Sequence, residues 1–197
     1  MRNNEELMNT ITHGLGFLLS LVGACILLQK AQTIGYWVYC SALVSVYAAS
    51  ALSHYFTDHN WRHFFRVVDQ ICIFFLIAGT FTPFALIYCP GWLWIMWGLA
   101  FLGVLAKLVY SRKTAISSVF YVMLGWIPVV QVDSFLRMPG WILFWLFAGG
   151  VLYTIGTQFL VRDRVRYFHS AWHLFVIAAS VCHYIAVSLL SIIHTGI

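Results

Sequence analysis

The stretch RYFHSAWHLFVIAASVCHYIAVSLLSII, residues 166–193, decides how the rest of the chain is interpreted. From Ser170 to Ile193 it contains no Asp, Glu, Lys or Arg. About 20 such residues are enough for a helix to cross the ~30 Å hydrocarbon core of a bilayer. His169 and His173, at its start, are four residues apart and therefore share one face of a helix. The stretch predicts a membrane helix that carries two imidazoles at one end.

The composition extends this interpretation to the whole chain. Of the 197 residues, 62% are hydrophobic and 9% are charged, whereas a soluble domain carries about 25% charged residues. We therefore expect an integral membrane protein. Its fold class should be all-α, because a backbone in lipid must satisfy its own hydrogen bonds and the apolar runs are continuous rather than alternating. Without a linker or low-complexity segment, residues 1–197 are expected to form a single domain.

Seven transmembrane helices are predicted. Cys89-Pro90-Gly91 forms a tight turn, Met138-Pro139-Gly140 opens the sixth helix, and Pro83 and Pro128 fall inside helices that they should kink. The seven apolar stretches are Ile11–Leu28, Tyr36–Phe56, Val68–Tyr88, Gly91–Tyr110, Ala115–Val132, Gly140–Leu160 and Ser170–Ile193.

The distribution of basic residues predicts the orientation. With seven helices, the side that holds the N-terminus collects nine Lys and Arg residues, and the other side collects Lys30 and Arg137. The positive-inside rule then places the N-terminus in the cytoplasm and the C-terminus outside. The formal charge of +5 thus indicates topology and no nucleic-acid partner. The nine are Arg2, Arg62, Arg66, Lys107, Arg112, Lys113, Arg162, Arg164 and Arg166.

Polar residues on three predicted helices meet at one membrane level. His54 ends the second helix near the cytoplasm, and Ser50 lies one turn deeper on the same face. Asp69 begins the third helix, and the pair His169 and His173 begins the seventh. A histidine pair alone is usually no metal site, but this convergence favours one, because buried polar groups need partners in lipid. Three neutral imidazoles and an open fourth position are typical of catalytic zinc.

The remaining histidines and cysteines have simpler interpretations. His59 and His63 should be solvated in a polar loop, and His194 should be interfacial. His13 could line the entrance of the site. His183, ~15 Å beyond His173, is too far to share its metal and should bond to a neighbouring helix or belong to a proton path. Cysteines 25, 40, 72, 89 and 182 look like buried small residues, although a bridge between Cys40 and Cys89 is conceivable.

Four motifs together resemble the hemolysin III family, the bacterial branch of the progestin and adiponectin receptor (PAQR) family. They are Glu6…Thr12-His13-Gly14, Ser50-x-x-x-His54, Asp69 followed by residues 79–84 (GTFTPF), and His169-Ser170-Ala171-Trp172-His173. Alkaline ceramidases share the set in a wider superfamily. The resemblance implies seven helices and Zn²⁺ ligands His54, His169 and His173. It also implies catalytic roles for Asp69, holding a water at the zinc, and for Ser50.

Two classes of function, and a weaker third, follow. The first is zinc-dependent hydrolysis of a lipid amide or ester, ceramidase-like, with a membrane lipid as substrate. The second is a non-catalytic sensor or regulator of the membrane in which zinc braces helices. A pore or cytolytic protein is the third, and the absence of a continuous polar stripe along any helix speaks against it. The expected location is the cell membrane, multi-pass, and in a bacterium the inner membrane.

Overall fold

The computed structural model describes the backbone of residues 2–109 and 114–195, with side chains for 4–109 and 118–193. Seven of its helical segments are long and apolar enough to cross a membrane, which confirms the predicted fold class; the fifth is residues 118–135, a helix interrupted by a 3₁₀ turn. The elements in chain order are α1 (Arg2–Lys30), α2 (Ile34–Tyr55), α3 (His59–Tyr88), α4 (Gly91–Val109), α5 (Thr114–Trp126), the 3₁₀ turn (Ile127–Gln131), α6 (Val132–Phe135), α7 (Gly140–Val161) and α8 (Phe168–Thr195).

The third helix begins well before its apolar stretch, so the prediction of a loop around His59 and His63 was wrong. Both residues lie in the first turns of α3, with exposed side chains. Asp58 caps this helix by accepting hydrogen bonds from the backbone N–H groups of Asn60 and Trp61 at 3.0 and 3.1 Å. An apolar run indicates only the part of a helix that can lie in lipid. It gives no information on polar turns that extend the helix beyond the lipid. The same holds for α1, which begins at Arg2.

Pro128 ends a helix rather than kinking it. The α-helix stops at Trp126, and Ile127–Gln131 form the 3₁₀ turn. Proline has no N–H to donate, and its ring clashes with the preceding turn of an α-helix. Pro83, by contrast, lies inside α3 as predicted, and α7 begins at Gly140 directly after Pro139.

All five cysteines are free, so the conceivable bridge between Cys40 and Cys89 does not form. Four of the five, including these two, are buried. These four agree with the interpretation of cysteine as a buried small residue, but Cys25 is exposed, so the prediction was wrong for that residue.

The bundle has two clusters of buried apolar side chains. The larger one joins α1, α2, α3, α7 and α8 and includes Tyr39, Tyr47 and Trp172. The smaller one joins α3, α4 and α5 around Phe74, Met96 and Tyr121. The larger cluster matters for function, because it includes residues of both α2 and α8, the helices that carry the three candidate ligands.

A glycine allows α1 to approach α2 closely. A Cβ at Gly16 would lie 2.5 Å from Cδ1 of Tyr47, which is closer than packed atoms come. Tyr47 is itself buried and donates a hydrogen bond to Ser180 Oγ at 2.9 Å, so its ring is held in place. This contact brings the N-terminal turns of α1 to the end of α2, where His54 lies.

Candidate metal centre

Three histidine side chains meet where α2 ends and α8 begins. His54 comes from the last turn of α2, and His169 and His173 come from the first two turns of α8. One ring nitrogen from each lies within 4.8 Å of the others. His54 and His173 are only 6% and 1% exposed, and His169 is partly buried. The side chains are therefore placed so that together they could hold one metal ion.

The spacing of one pair of nitrogens is compatible with a shared metal ion. Nε2 of His54 and Nε2 of His169 are 3.3 Å apart, which is long for an N–H···N contact. Two nitrogens that bind one tetrahedral zinc at ~2.0–2.1 Å lie roughly 3.3–3.4 Å apart. Nδ1 of His173 is buried and has no hydrogen-bond partner among the described residues. The donor set and its unpartnered atom are thus compatible with zinc.

The carboxylate of Glu6, on α1, contacts the ring of His54, and the sequence did not predict this contact. Oε2 of Glu6 lies 2.9 Å from Nδ1 of His54. The same carboxylate pairs with Arg62 at 3.2 Å and Arg66 at 3.9 Å, both on α3. The available signal was an acidic residue in a largely apolar helix, which is expected to have a specific partner.

Ser50 and Asp69 lie next to each other, as the predicted convergence requires. Ser50 is buried on α2, one turn deeper than His54, and its hydroxyl is within hydrogen-bonding reach of the Asp69 carboxylate on α3. Asp69 shares a polar cavity with His54 and His169. It is not a member of the group of close ligand atoms, which consists of the three histidines.

Two cavities meet at Asp69. One, of about 560 Å³, is lined by His13, Ser50 and Asp69 at one end and otherwise mainly by apolar side chains of α3, α5, α7 and α8. The other, of about 460 Å³, is lined mostly by polar residues that include Glu6, His54, Arg66 and His169. Asp69 therefore lines both an apolar and a polar cavity.

The other two membrane-embedded histidines have different surroundings. The ring of His13 is buried 3.8 Å from that of His173, centroid to centroid, and both of its nitrogens lack a hydrogen-bond partner among the described residues. It lines the apolar cavity together with Ser50, and it is buried against the histidine cluster, whereas the sequence suggested a place at the entrance of the site. His183 lies 3.1 Å from the Leu146 carbonyl of α7 through Nε2, which supports the interpretation that it bonds to a neighbouring helix. The His194 side chain lies outside the described residues.

The described residues contain seven helices that could span a membrane and a cluster of three histidines, and these features define a multi-pass membrane protein with a candidate metal centre. The chain matches the family model described as Haemolysin-III related over residues 1–184, and it belongs to that family. It is 31% identical to the hemolysin-3 homolog of Bacillus subtilis strain 168, over 93% of this chain and 92% of the relative.

Two further relatives extend the comparison. The chain is 33% identical to hemolysin-3 of Bacillus cereus, over 89% of this chain and 87% of the relative. It is 28% identical to the human monocyte to macrophage differentiation factor, over 93% of this chain and 83% of the relative. The likeness therefore spans nearly the whole chain in both bacterial and animal proteins.

Proposed function

We propose that this protein is a zinc-dependent hydrolase of lipid amides or esters in the cell membrane, in a bacterium the inner membrane. The observation that carries the proposal is the position of Asp69. Asp69 lines both the apolar and the polar cavity, next to Ser50 and in the same polar cavity as His54 and His169. A lipid substrate needs this combination, because its chain is apolar and its scissile bond must meet water.

His54, His169 and His173 would hold the zinc. Zinc, when bound, supplies Lewis-acid activation of a water and of a carbonyl group at neutral pH. The ion would be held by three imidazoles from two helices, and among the described residues Asp69 is outside the group of close ligand atoms. A closed structural site would use a fourth protein ligand. The donor set thus favours catalysis over a purely structural role.

Asp69 is the proposed general base and Ser50 its partner. Asp69 accepts a proton from the water whose oxygen attacks the carbonyl carbon, and it passes that proton to the leaving nitrogen or oxygen as the C–N or C–O bond breaks. The Ser50 hydroxyl, by its hydrogen bond, holds the carboxylate in the orientation that this transfer needs.

The two cavities suggest where the apolar and polar parts of the substrate would bind. An acyl chain would occupy the apolar cavity, whose lining beyond Ser50 and Asp69 is largely aromatic and aliphatic. Water and the more polar part of the lipid would occupy the cavity that Glu6, His54 and Arg66 line. The scissile bond then lies next to Asp69, between the two.

A zinc-braced sensor of the membrane is the second candidate. The histidines join the end of α2 to the start of α8, elements far apart in the sequence. A metal there would hold two helices together without any chemistry. This candidate explains the histidines but leaves the neighbouring Ser50 and Asp69 without a role.

A lipid panel tests the proposed function. Zinc-loaded protein in bilayers is mixed with lipid amides and esters that differ in head group and chain length, and released fatty acid is measured. We expect release from at least one lipid, with loss of release after a chelator and its return with zinc. If no lipid in the panel is cleaved, the hydrolase proposal is wrong and the sensor is preferred.

A further inference from the structure

We infer that Glu6 is a positioning residue for the metal centre: its carboxylate holds the His54 ring with Nδ1 protonated and Nε2 directed toward His169. The inference rests on the proposed metal site. It assigns a role to the first turns of α1, which contribute no histidine to the cluster of close ligand atoms.

The choice of tautomer follows from the contacts of the His54 ring. A neutral imidazole has one N–H and one lone pair, and an ionised carboxylate only accepts hydrogen bonds. Because Nδ1 lies 2.9 Å from Oε2 of Glu6, the proton belongs on Nδ1. The lone pair is then on Nε2, the nitrogen that lies 3.3 Å from Nε2 of His169. The contact thus selects the nitrogen that is available to a metal.

The Glu6 carboxylate is held from its other side by α3. Arg62 approaches Oε2 at 3.2 Å and Arg66 approaches Oε1 at 3.9 Å. The carboxylate is therefore bound between a ligand histidine and two guanidinium groups. Carboxylates bonded to metal-binding histidines orient the ring and raise its basicity as a ligand.

Neighbouring residues of α1 hold the other ligand helix. Oδ1 of Asn9 accepts a hydrogen bond of 2.6 Å from the hydroxyl of Ser170, the residue after His169. Oε1 of Glu5 accepts one of 2.8 Å from the backbone N–H of Tyr167. The start of α1 therefore contacts both α2 and α8 near the histidine cluster, and of Glu5, Glu6 and Asn9 it is Glu6 that contacts a ligand ring.

Zinc affinity tests the inference without any substrate. The Kd of the purified protein for zinc is measured by competition with a chelator in the parent, Glu6→Ala, Glu6→Gln and the control Glu5→Ala. We expect Glu6→Ala to weaken zinc binding by roughly 10–100-fold, the usual effect of removing such a partner. Glu6→Gln should lie in between, because its amide oxygen still accepts from Nδ1. Glu5→Ala, which frees α1 from Tyr167 but leaves the Glu6 contact, should stay near the parent value.

A second measurement on the zinc-free parent needs no Glu6 variant. The ¹⁵N imidazole spectrum, recorded well above the usual histidine pKa, reports the tautomer of His54, whose signals are those absent from His54→Ala. We expect protonation at Nδ1. Protonation at Nε2, or an unchanged Kd in Glu6→Ala, would overturn the inference. If His54→Ala binds zinc like the parent, the metal site itself is wrong. The tautomer of His54 then shows separately whether Glu6 fixes the proton on Nδ1.

Discussion

The two nitrogens of His13 are buried beside the histidine cluster with no hydrogen-bond partner among the described residues. Such a group costs about 1–3 kcal/mol of stability when it stays unsatisfied. An apolar side chain of similar size avoids this cost. Replacing His13 by an apolar residue therefore tests whether its nitrogens are unsatisfied in the ligand-free protein.

His13→Leu should leave the stability of ligand-free protein unchanged or raise it by up to roughly 1–3 kcal/mol. The measurement is the free energy of unfolding in detergent, compared with that of the parent. A clear loss of stability would mean that His13 has a partner in solution, and the assignment of unpartnered nitrogens would be wrong.

Asp69→Asn separates catalysis from bracing. An amide has nearly the shape of a carboxylate, so zinc content and thermal stability should persist. It cannot accept the proton of an attacking water, and general-base help is worth about 10²–10⁴ in rate, so turnover should fall at least ~100-fold. The measurement is kcat/KM on whichever lipid the panel identifies, with His54→Ala as the control that loses zinc as well. Unchanged turnover in Asp69→Asn would remove Asp69 from the chemistry.

Residue positions along the chain predicted the convergence but not every contact. The depths of His54, Asp69, His169 and His173 follow from their places near helix ends, and the structure brings them to one end of the bundle. The contact between Glu6 and His54 depends on how α1 is rotated about its axis and how far it extends beyond the lipid. An apolar run of residues determines neither.

Helix boundaries were likewise predictable from the sequence only in part. The turn after α3 and the start of α7 were predictable, because Pro90 and Pro139 mark them in the sequence. The 3₁₀ turn around Pro128 was not, because proline inside a membrane helix can either kink it or end it, and packing decides which.

Gly16→Ala tests the close approach of α1 to α2. The added Cβ would meet the held ring of Tyr47 at 2.5 Å, and such overpacking typically costs about 1–3 kcal/mol. Zinc affinity should fall as well, because α1 carries Glu6. Gly14→Ala is the matched control, since its Cβ would meet nothing within 4 Å, and alanine in a helix is roughly 1 kcal/mol better than glycine. The measurements are unfolding free energy and zinc Kd; equal behaviour of the two variants would contradict the proposed packing.

The orientation of the whole molecule rests on the distribution of Lys and Arg. Reporters active only in the cytoplasm should work when fused after Lys113 or Arg166 and should be silent when fused after Thr33 or at the C-terminus. If each of the seven candidate spans among the described residues crosses the membrane, the two termini should lie on opposite sides. A cytoplasmic C-terminus would contradict the predicted orientation and place the histidine end of the bundle outside.

The proposed metal centre involves three imidazole rings, the two helices that carry them, and a third helix, α1, whose Glu6 is inferred to orient one ring. The most direct test is elemental analysis of purified protein, with the parent compared to the variant in which His54, His169 and His173 are all alanine. We predict about one zinc per parent chain, as three imidazole ligands lead us to expect, and almost none in the variant. Equal zinc in the two proteins would contradict the account.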